Sequence, residues 1–338
     1  MAIKKELDPP KRILITGGAG FIGHHLVDYV LKRTDWGMVV LDRLDLSGNL
    51  NRLEEVLGDN KGRVKFVYHD LKSPLNEFVA RDIGKINYVV HLAASTHVDR
   101  SIENPNSFFE DNVIGTVNLL NWARTQESLK KFINFGTDEV FGPAEPGFAH
   151  GENEPFRPSN PYSASKAGQW AAGYAYSITY GLPVVSTFTM NNFGERQHPE
   201  KLLPKCIRSV INQSPMPIFA ELGEDGELKG VGSRYWLHCL NTASAIKFLL
   251  EHGKPRESYN IIGFDELTNL DICQKIATII GKPLIPDLVD FHKTRPGHDR
   301  RYALDGTKIM KMGWKPEISF EDSLRQTVEW TVNNQRWL

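Results

Sequence analysis

The fold is decided by Thr16-Gly17-Gly18-Ala19-Gly20-Phe21-Ile22-Gly23, which joins the apolar run Arg12–Thr16 to Phe21–Lys32, a stretch with helical spacing of its apolar residues. Gly17 allows a tight turn, Gly20 lets the backbone approach a pyrophosphate, and Gly23 lets the helix pack against the sheet. A pyrophosphate would then lie at the positive helix N-terminus, beside Phe21 and Ile22. The stretch predicts a dinucleotide-binding turn. A turn that serves packing alone is the weaker alternative, because a strand precedes it and a helix follows it.

Apolar runs alternate with helical patterns through the first half of the chain. The runs predict further strands at Met38–Asp42, Val64–Tyr68, Ile86–Leu92, Lys131–Phe135 and Val184–Thr187. Helical patterns lie between them at Asn49–Leu57, Ser107–Ala123 and Ser163–Tyr180. Strands that alternate with helices form right-handed βαβ units around a parallel sheet. We therefore predict an α/β protein with a Rossmann-type, doubly wound parallel sheet.

The second half of the chain differs in composition, since Pro and Gly become frequent from about Asn191. We predict a dinucleotide-binding domain over residues 1–188 and a smaller mixed α/β substrate-binding domain over residues 189–338, with the chain crossing back between the two. Ala220–Gly232 is polar and rich in glycine, which predicts a mobile loop. Helical patterns recur at Leu202–Val210, Thr242–Glu251, Asp271–Ile279 and Phe320–Asn333.

The composition limits the classes of protein to which the chain can belong. Its 338 residues include 40 basic and 41 acidic side chains, for a net charge of −1, which argues against a general nucleic-acid binder. Hydrophobic residues make up 41% and charged residues 24%, the mix of a globular protein. The three cysteines, Cys206, Cys239 and Cys273, are far apart, which excludes a disulfide scaffold and disfavours a structural metal site.

No pattern indicates export or a membrane. Residues 1–11 are too charged to form the apolar core of a signal peptide, and no apolar run approaches the ~20 residues that span a bilayer. We expect a cytoplasmic protein that binds neither membranes nor nucleic acid.

Two acids follow predicted strands at spacings that suit a dinucleotide. Asp42 closes the second strand, where a carboxylate accepts hydrogen bonds from a ribose 2′-hydroxyl and repels a 2′-phosphate. This favours NAD over NADP, although Arg43 stands beside it. Asp70 follows the third strand, where it could reach the adenine amino group or cap a helix near Ser73. The predicted NAD-binding set is completed by Leu71, Ala93 and Lys166.

Tyr162-Ser163-Ala164-Ser165-Lys166 places a phenol and an amine four residues apart, on one face of a helix. A phenol is a poor base, because its pKa is about 10. We expect the Lys166 ammonium, together with the positive nicotinamide, to lower the pKa of Tyr162. A surface Tyr and Lys on an amphipathic helix is the alternative.

Thr137-Asp138-Glu139 follows the fifth predicted strand, at the edge where a parallel sheet places its ligands. Thr137 offers a hydroxyl to a substrate oxygen. Two adjacent carboxyls are costly in a cleft unless they differ in protonation. In a regular strand Asp138 and Glu139 would face opposite sides, so the chain must leave extended geometry just after Gly136 for both to act. A solvated acidic loop or a helix cap is the alternative.

These motifs together resemble the extended short-chain dehydrogenase/reductase family and, within it, the dTDP-glucose 4,6-dehydratases. The resemblance covers about Arg12 to Trp330. Its specific parts are the Thr-Asp-Glu triplet and the segment beginning at Arg295, whereas the glycine turn and the Tyr/Lys pair mark only the broad superfamily. The quoted motifs are TGGAGFIG, HLAASTHVDRSI, TDEVFG, NPYSASKA, NNFG, PEKLLP and RPGHDRRYALD.

The resemblance implies an NAD-dependent enzyme that oxidises a nucleotide-linked hexose at C4, eliminates water across C5–C6 and returns the hydride to C6. Tyr162 would take the 4-hydroxyl proton, supported by Lys166 and Thr137. Glu139 would remove the C5 proton and Asp138 would protonate the departing 6-hydroxyl. NAD would remain bound through the cycle, and the protein would be a homodimer formed through Ser107–Ala123 and Ser163–Tyr180.

The same resemblance implies a binding site for the nucleotide diphosphate of the substrate. Arginine suits this site because it can bind phosphate in a bidentate manner. The resemblance implies Arg234, Arg295 and His298 for the nucleotide and its phosphates. It places Asn191 and Lys201 in the segment that borders the substrate, and His97 in the lining of the site.

Several positions on the substrate side depart from the family pattern. Phe188 replaces an arginine, Glu195 a proline and Asn241 an aspartate, and Ala220–Ser233 is longer than usual. The nucleotide base and the sugar therefore stay open. A 4-epimerase or a 5,6-dehydratase of the same fold is one alternative, and a non-catalytic NAD-binding sensor or scaffold is another.

Overall fold

A parallel sheet of seven strands lies at the centre of the computed structural model, which describes residues 11–222, 228–230, 232–290 and 301–338. The strand order is β3-β2-β1-β4-β5-β6-β12, and every neighbouring pair is parallel. This confirms the predicted Rossmann-type α/β fold. The strands of this sheet are β1 (Arg12–Thr16), β2 (Gly37–Asp42), β3 (Val64–Tyr68), β4 (Tyr88–His91), β5 (Lys131–Phe135), β6 (Val184–Thr189) and β12 (Ser258–Ile261).

Helices cover both faces of the sheet and continue into the second half of the chain. A π-helical turn, Glu110–Ile114, separates α5 from α6, and short 3₁₀ helices occur at Gly58–Arg63, Asp138–Phe141 and Gln335–Trp337. The α-helices are α1 (Phe21–Arg33), α2 (Leu50–Leu57), α3 (Glu77–Ile83), α4 (Val98–Glu103), α5 (Pro105–Phe109), α6 (Gly115–Ala123), α7 (Pro161–Thr179), α8 (Leu202–Asn212), α9 (Cys239–His252), α10 (Asn269–Ile280), α11 (Thr307–Lys311) and α12 (Phe320–Asn333).

The strands read as unbroken apolar runs because both faces of the sheet are buried. Successive side chains of a strand point to opposite faces. Ile13 and Ile15 therefore pack into the core that contains α1 and α9, whereas Leu14 packs with Leu119 and Leu120 on the other face.

The predicted helix Ser107–Ala123 is interrupted in the structure. It begins two residues earlier, where Pro105 occupies the first turn of α5, and the π turn replaces its middle. The predicted helix Ser163–Tyr180 also begins earlier, at Pro161. There the side chain of Asn160 accepts from the backbone N–H of Ser163 and completes a capping box.

The second half of the chain returns to the central sheet. β12 pairs with β6, and α9 packs against α1 on the same face. Phe188, the predicted end of the first domain, lies inside β6. The division into residues 1–188 and 189–338 stays a prediction.

The remaining strands form three small sheets outside the central one. In one of them Ala220 pairs with Gly230 in an antiparallel ladder, so strands occupy part of the stretch Ala220–Gly232 that was predicted as a loop. Its mobility stays a prediction. Residues 223–227 and 231 lie outside the described residues. The strands are β7 (Asn192–Phe193), β8 (Met216–Leu222), β9 (Leu228–Gly230), β10 (Ser233–Tyr235), β11 (Leu237–His238), β13 (Glu266–Thr268) and β14 (Pro286–Asp290).

The departures from the family pattern are accommodated by local packing. Phe188 packs its ring 4.7 Å from that of Phe141, in a buried aromatic cluster. Glu195 is buried, and although burial raises its pKa, the hydrogen bond with His238 lowers that pKa to about 2. Asn241 accepts hydrogen bonds from the backbone N–H groups of residues 317 and 318.

Across the described ranges, each helix is too short or too polar to cross a bilayer.

Candidate active site

A cavity of about 320 Å³ opens at the carboxyl ends of β1, β2, β4 and β5. An open parallel sheet binds its ligands at this edge. The structure brings most of the predicted site residues together there. They are Gly17, Gly20, Phe21, Ile22, Gly23, Asp42, Asp70, Leu71, Ala93, Thr137, Asp138, Glu139, Tyr162, Lys166, Asn191 and Lys201.

The glycine turn is shaped for a close backbone approach. Gly17 has a φ of +69°, and a Cβ there would lie 2.7 Å from the backbone nitrogen of Ala93. A Cβ at Gly23 would lie 2.1 Å from the carbonyl oxygen of Gly17, so the helix could not pack as it does. No side chain caps the start of α1, and its first turn carries no acid. Its terminal amides therefore suit an anionic ligand, and the residues present fit a dinucleotide.

Asp42 and Arg43 face the same end of the cavity but have different partners. Asp42 accepts from the backbone N–H of Ala19 at 3.0 Å and of Leu44 at 2.9 Å, and burial raises its pKa. Arg43 donates from both terminal nitrogens to the carboxylate of Asp111 and pairs also with Asp45. Carboxylates thus engage the guanidinium of Arg43. Sequence reasoning missed Asp111, because the π turn that holds it here leaves no simple pattern.

Asp70 lines the cavity and does not cap a helix. Its side chain accepts from the backbone N–H of Lys72 at 3.0 Å and lies 3.4 Å from Arg43. The next helix, α3, begins seven residues later and is capped by Asn76. Of the two alternatives for Asp70, the cap is therefore wrong.

Tyr162 and Lys166 are both buried on α7 and face the cavity. The ammonium of Lys166 donates to the carbonyl of Phe135 at 2.7 Å and to the side-chain oxygen of Gln169 at 2.5 Å. Burial lowers the pKa of Lys166 to about 7. Gln169 was not singled out from the sequence, although its position three residues after Lys166 places it on the same helix face.

The protein's own groups raise the pKa of Tyr162, which corrects the expectation that Lys166 lowers it. Burial has the largest effect and the charge of Glu139 the next, while a hydrogen bond with Thr137 opposes both. Lys166 is directed to Phe135 and Gln169 instead. Lys166 therefore does not offset the effect of burial on the pKa of Tyr162.

The backbone is still extended at Thr137 and leaves that geometry at Asp138, where a 3₁₀ helix begins, as the action of both acids requires. Thr137 caps the 3₁₀ helix Asp138–Phe141 and accepts from the backbone N–H of Glu139 at 3.4 Å. Gly136 lets the chain turn close to β6, because a Cβ there would lie 2.3 Å from the carbonyl oxygen of Thr187. Both acids therefore reach the cavity.

Asp138 and Glu139 have different environments. Burial and the charge of Glu139 raise the pKa of Asp138 to about 7, against the opposing effects of Arg234 and of a 3.0 Å hydrogen bond from Thr137. Glu139 accepts from the phenol of Tyr302 and the side-chain amide of Asn160, both at 3.5 Å. Asp138, with its raised pKa, and the hydrogen-bonded Glu139 thus stand side by side in different environments.

The substrate-side predictions fall into three groups. Asn191 and Lys201 line the cavity. Arg234 and His97 do not line it. The buried Arg234 lies over the ring of Tyr302, 4.5 Å from its centroid. His97 precedes α4, and its Nε2 lies 3.4 Å from the carboxylate of Glu200. The other two, Arg295 and His298, lie outside the described residues. Across the described ranges, no three His, Cys, Asp or Glu side chains are grouped to hold a metal ion.

Comparison with known proteins agrees with this geometry. The family model described as GDP-mannose 4,6 dehydratase matches residues 14–327. The chain belongs to this family. The match confirms the resemblance of the sequence motifs to the extended short-chain dehydrogenase/reductase family.

Relatives within the GDP-mannose 4,6 dehydratase family align along nearly the whole chain. A probable dTDP-glucose 4,6-dehydratase of Sinorhizobium fredii is 38% identical over 96% of this chain and 94% of its own. The dTDP-glucose 4,6-dehydratase of Salmonella typhimurium is 37% identical over 97% and 94%. The crystal structure of DesIV, a dTDP-glucose 4,6-dehydratase from Streptomyces venezuelae with NAD and TYD bound, is 37% identical with a TM-score of 0.87, covering 96% of this chain and 98% of DesIV.

Proposed function

We propose that this protein is an NAD-dependent nucleotide-sugar 4,6-dehydratase that converts an NDP-glucose to the NDP-4-keto-6-deoxyglucose, with dTDP-glucose as the first choice of substrate. The observation that carries the proposal is the pair Asp138 and Glu139, which share the cavity with Tyr162 but differ in environment. An elimination needs an acid and a base at once, and this pair can supply both.

NAD is the cofactor of the proposal, and relatives crystallised with NAD support it. Bound NAD supplies reversible oxidation of the sugar at C4. Gly17, Gly20 and Gly23 would hold its pyrophosphate at the start of α1, and Asp42 would meet the ribose. Phe21, Ile22, Asp70, Leu71 and Ala93 would complete the contacts.

The first chemical step is proton removal from the 4-hydroxyl. Tyr162 is the base, because it is buried in the cavity on the same helix face as Lys166. Thr137 hydrogen-bonds with Tyr162 and lowers its pKa, so it stabilises the phenolate. Lys166 fixes α7 to β5 through its hydrogen bond to the carbonyl of Phe135 and so positions Tyr162.

The second step is the loss of water across C5–C6. The 4-keto group acidifies the C5 proton, which Glu139 removes. The electron pair of the C5–H bond forms the C5–C6 double bond, and the C6–O bond breaks. Asp138 gives its proton to the departing oxygen, so water leaves. With a pKa of about 7, Asp138 is protonated in a large fraction of molecules at neutral pH.

The substrate would extend from the catalytic groups towards the second half of the chain. Asn191 and Lys201 border the cavity, and the buried Arg234 lies beside the ring of Tyr302, which contacts Glu139. We predict that Arg295 and His298 bind the diphosphate and that His97 lies at the rim of the cavity. The dTDP-sugar choice rests on the names of the relatives.

A homodimer through Ser107–Ala123 and Ser163–Tyr180 is part of the proposal. These two elements pack together and expose apolar side chains that a monomer would leave in water. Ile114 is 49% exposed and Ile178 is 52% exposed, with Phe109 and Tyr174 also exposed. Exposed apolar side chains on two elements that pack together support the proposal of an interaction surface there. We also place the enzyme in the cytoplasm. We place the boundary between its two domains after residue 188.

The deciding experiment uses a panel of nucleotide glucoses labelled with deuterium at C4. A 4,6-dehydratase gives a product lighter by one water with the deuterium at C6, as mass and NMR spectra would show. A 5,6-dehydratase returns the deuterium to C4, and an epimerase loses no water. No reaction with any substrate, from protein that retains NAD, would favour the sensor or scaffold alternative.

A further inference from the structure

Arg52, in the first turn of α2, is a buried arginine that lines the cavity and has no assigned role. Only 3% of its surface is exposed. Its Nε donates to the carbonyl of Arg196 at 3.1 Å, and its Nη1 donates to the carbonyls of Ser47 at 2.6 Å and Ala19 at 3.4 Å. None of its hydrogen bonds to described residues uses Nη2.

The positive charge of Arg52 has no ionic partner among the described residues. Burial lowers the pKa of Arg52 to about 10, and the more distant charge of Asp42 only partly opposes this. The neighbouring Arg196 differs, since it forms an ion pair with Glu55. Burying a cation without an anion is costly, so an anionic ligand in the cavity would offset that cost.

The carbonyls that hold Arg52 place it at the cofactor end of the cavity. Ala19 belongs to the glycine turn, and Ser47 follows Asp42 in the turn that leads to α2. The uncapped start of α1 faces the same cavity. A guanidinium opposite a helix N-terminus suits a diphosphate, because each can donate hydrogen bonds to phosphate oxygens.

We propose that Arg52 binds the diphosphate of the dinucleotide cofactor through Nη2, opposite the amides of α1. The inference rests on the cofactor of the proposed function. A diphosphate is also present in a nucleotide-sugar substrate, so the test must separate these two sources.

The test measures equilibrium binding of ADP-ribose, adenosine and dTDP to the full chain after its bound cofactor has been removed. The variants are Arg52→Gln and Arg52→Lys. The matched control is Arg63→Gln, because Arg63 also donates to three backbone carbonyls, those of residues 31, 34 and 36, but lies away from the cavity.

We expect Arg52→Gln to weaken ADP-ribose binding roughly ten- to hundredfold, the usual effect of losing a charge-assisted hydrogen bond. Binding of adenosine and dTDP should change less than about twofold on the same physical grounds, since neither ligand places a phosphate at this position. Arg52→Lys keeps the charge and should fall between wild type and Arg52→Gln. If the Gln variant does not fold, the Lys variant provides the same comparison.

Three results would overturn the inference: unchanged ADP-ribose binding, an equal loss for adenosine, which would show a purely structural role, or a loss confined to dTDP. A wild-type chain that binds neither NAD nor ADP-ribose would instead remove the proposed function, and this inference with it. Arg63→Gln should bind all three ligands as wild type does.

Discussion

Asp138 is buried directly beside Glu139, and the charge of Glu139 is second only to burial in raising the pKa of Asp138 to about 7. The neighbours in sequence are therefore not equivalent in protonation. Thr137 makes the arrangement possible, because it starts the 3₁₀ turn that directs both acids into one cavity. The following predictions test this relationship and the groups around it.

Asp138→Asn should stabilise the fold at alkaline pH while slowing water loss. The pKa of Asp138 is above its ordinary 3.8, so the unfolded chain releases this proton first, and folding stability falls as pH rises from 3.8 to about 7. The variant has no ionisable group at this position, so its free energy of unfolding should exceed that of the wild type by on the order of 1–3 kcal/mol above about pH 8. Denaturant unfolding at about pH 5 and about pH 8 measures it, with the exposed Asp265→Asn as control. An equal stability difference at both pH values would contradict the buried-acid assignment.

The elimination rate of the wild-type enzyme should fall as pH rises through about 7, because Asp138 must be protonated to act. In Asp138→Asn the rate should drop roughly 10²–10⁴-fold and lose this alkaline limb. Rapid-quench measurement of the 4-keto product across pH gives both results. An alkaline limb that persists in the variant would assign the titration to another group, such as Lys166.

Tyr162→Phe should abolish oxidation at C4, so that no absorbance of reduced cofactor appears on mixing with substrate. In the proposed function the phenol is the base, and Phe keeps the packing of the ring against Phe108. Stopped-flow absorbance makes the measurement. The control is Tyr176→Phe on the same helix as Tyr162. It removes a hydroxyl that donates to Asn121 of α6, and it should behave as wild type. Normal turnover in the Tyr162 variant would refute the assignment.

Glu139→Gln should still oxidise the substrate but accumulate reduced cofactor. The amide cannot take the C5 proton, so elimination should slow by roughly 10²–10⁴-fold. The same stopped-flow trace would then rise and fail to decay. Glu154→Gln, an exposed position, is the control. A variant that decays at the wild-type rate would exclude Glu139 as the base.

Ile114→Arg or Ile178→Arg should convert a dimer into a monomer, because each places a charge within the exposed apolar face. Light scattering after size-exclusion chromatography measures the mass. Phe78→Arg changes an apolar side chain that is 70% exposed on α3 and should leave the mass unchanged. A wild-type chain that is already monomeric would refute the proposed interface.

Sequence patterns predicted the central sheet well, because its strands are buried on both faces and therefore appear as short apolar runs. β1, β3 and β5 have the predicted bounds. The seventh strand, β12, was not foreseen as part of the sheet, since its neighbour β6 lies about 70 residues earlier in the chain. The π turn was also missed, because the apolar pattern of Ser107–Ala123 was taken as one uninterrupted helix.

The candidate site also has some features that short sequence motifs predict and others that depend on distant parts of the chain. The glycine turn, the Tyr162/Lys166 pair and the acid pair each depend on local geometry, so short motifs indicate them. Tyr302 and Asn160 contact Glu139 from distant parts of the chain, and no local pattern announces those contacts. Arg295 and His298 lie within residues 291–300, outside the described residues, so their roles in the site stay predictions.

The sequence by itself determined which chemical groups are present and which local turns carry them, because glycine conformations, helix faces and caps depend on residues close together in the chain. Only the tertiary structure decided their protonation and their partners. Burial and long-range contacts set the pKa of Asp138, raise that of Tyr162 and leave Arg52 without a counter-ion among the described residues. These effects depend on distances in space, which the order of residues does not state.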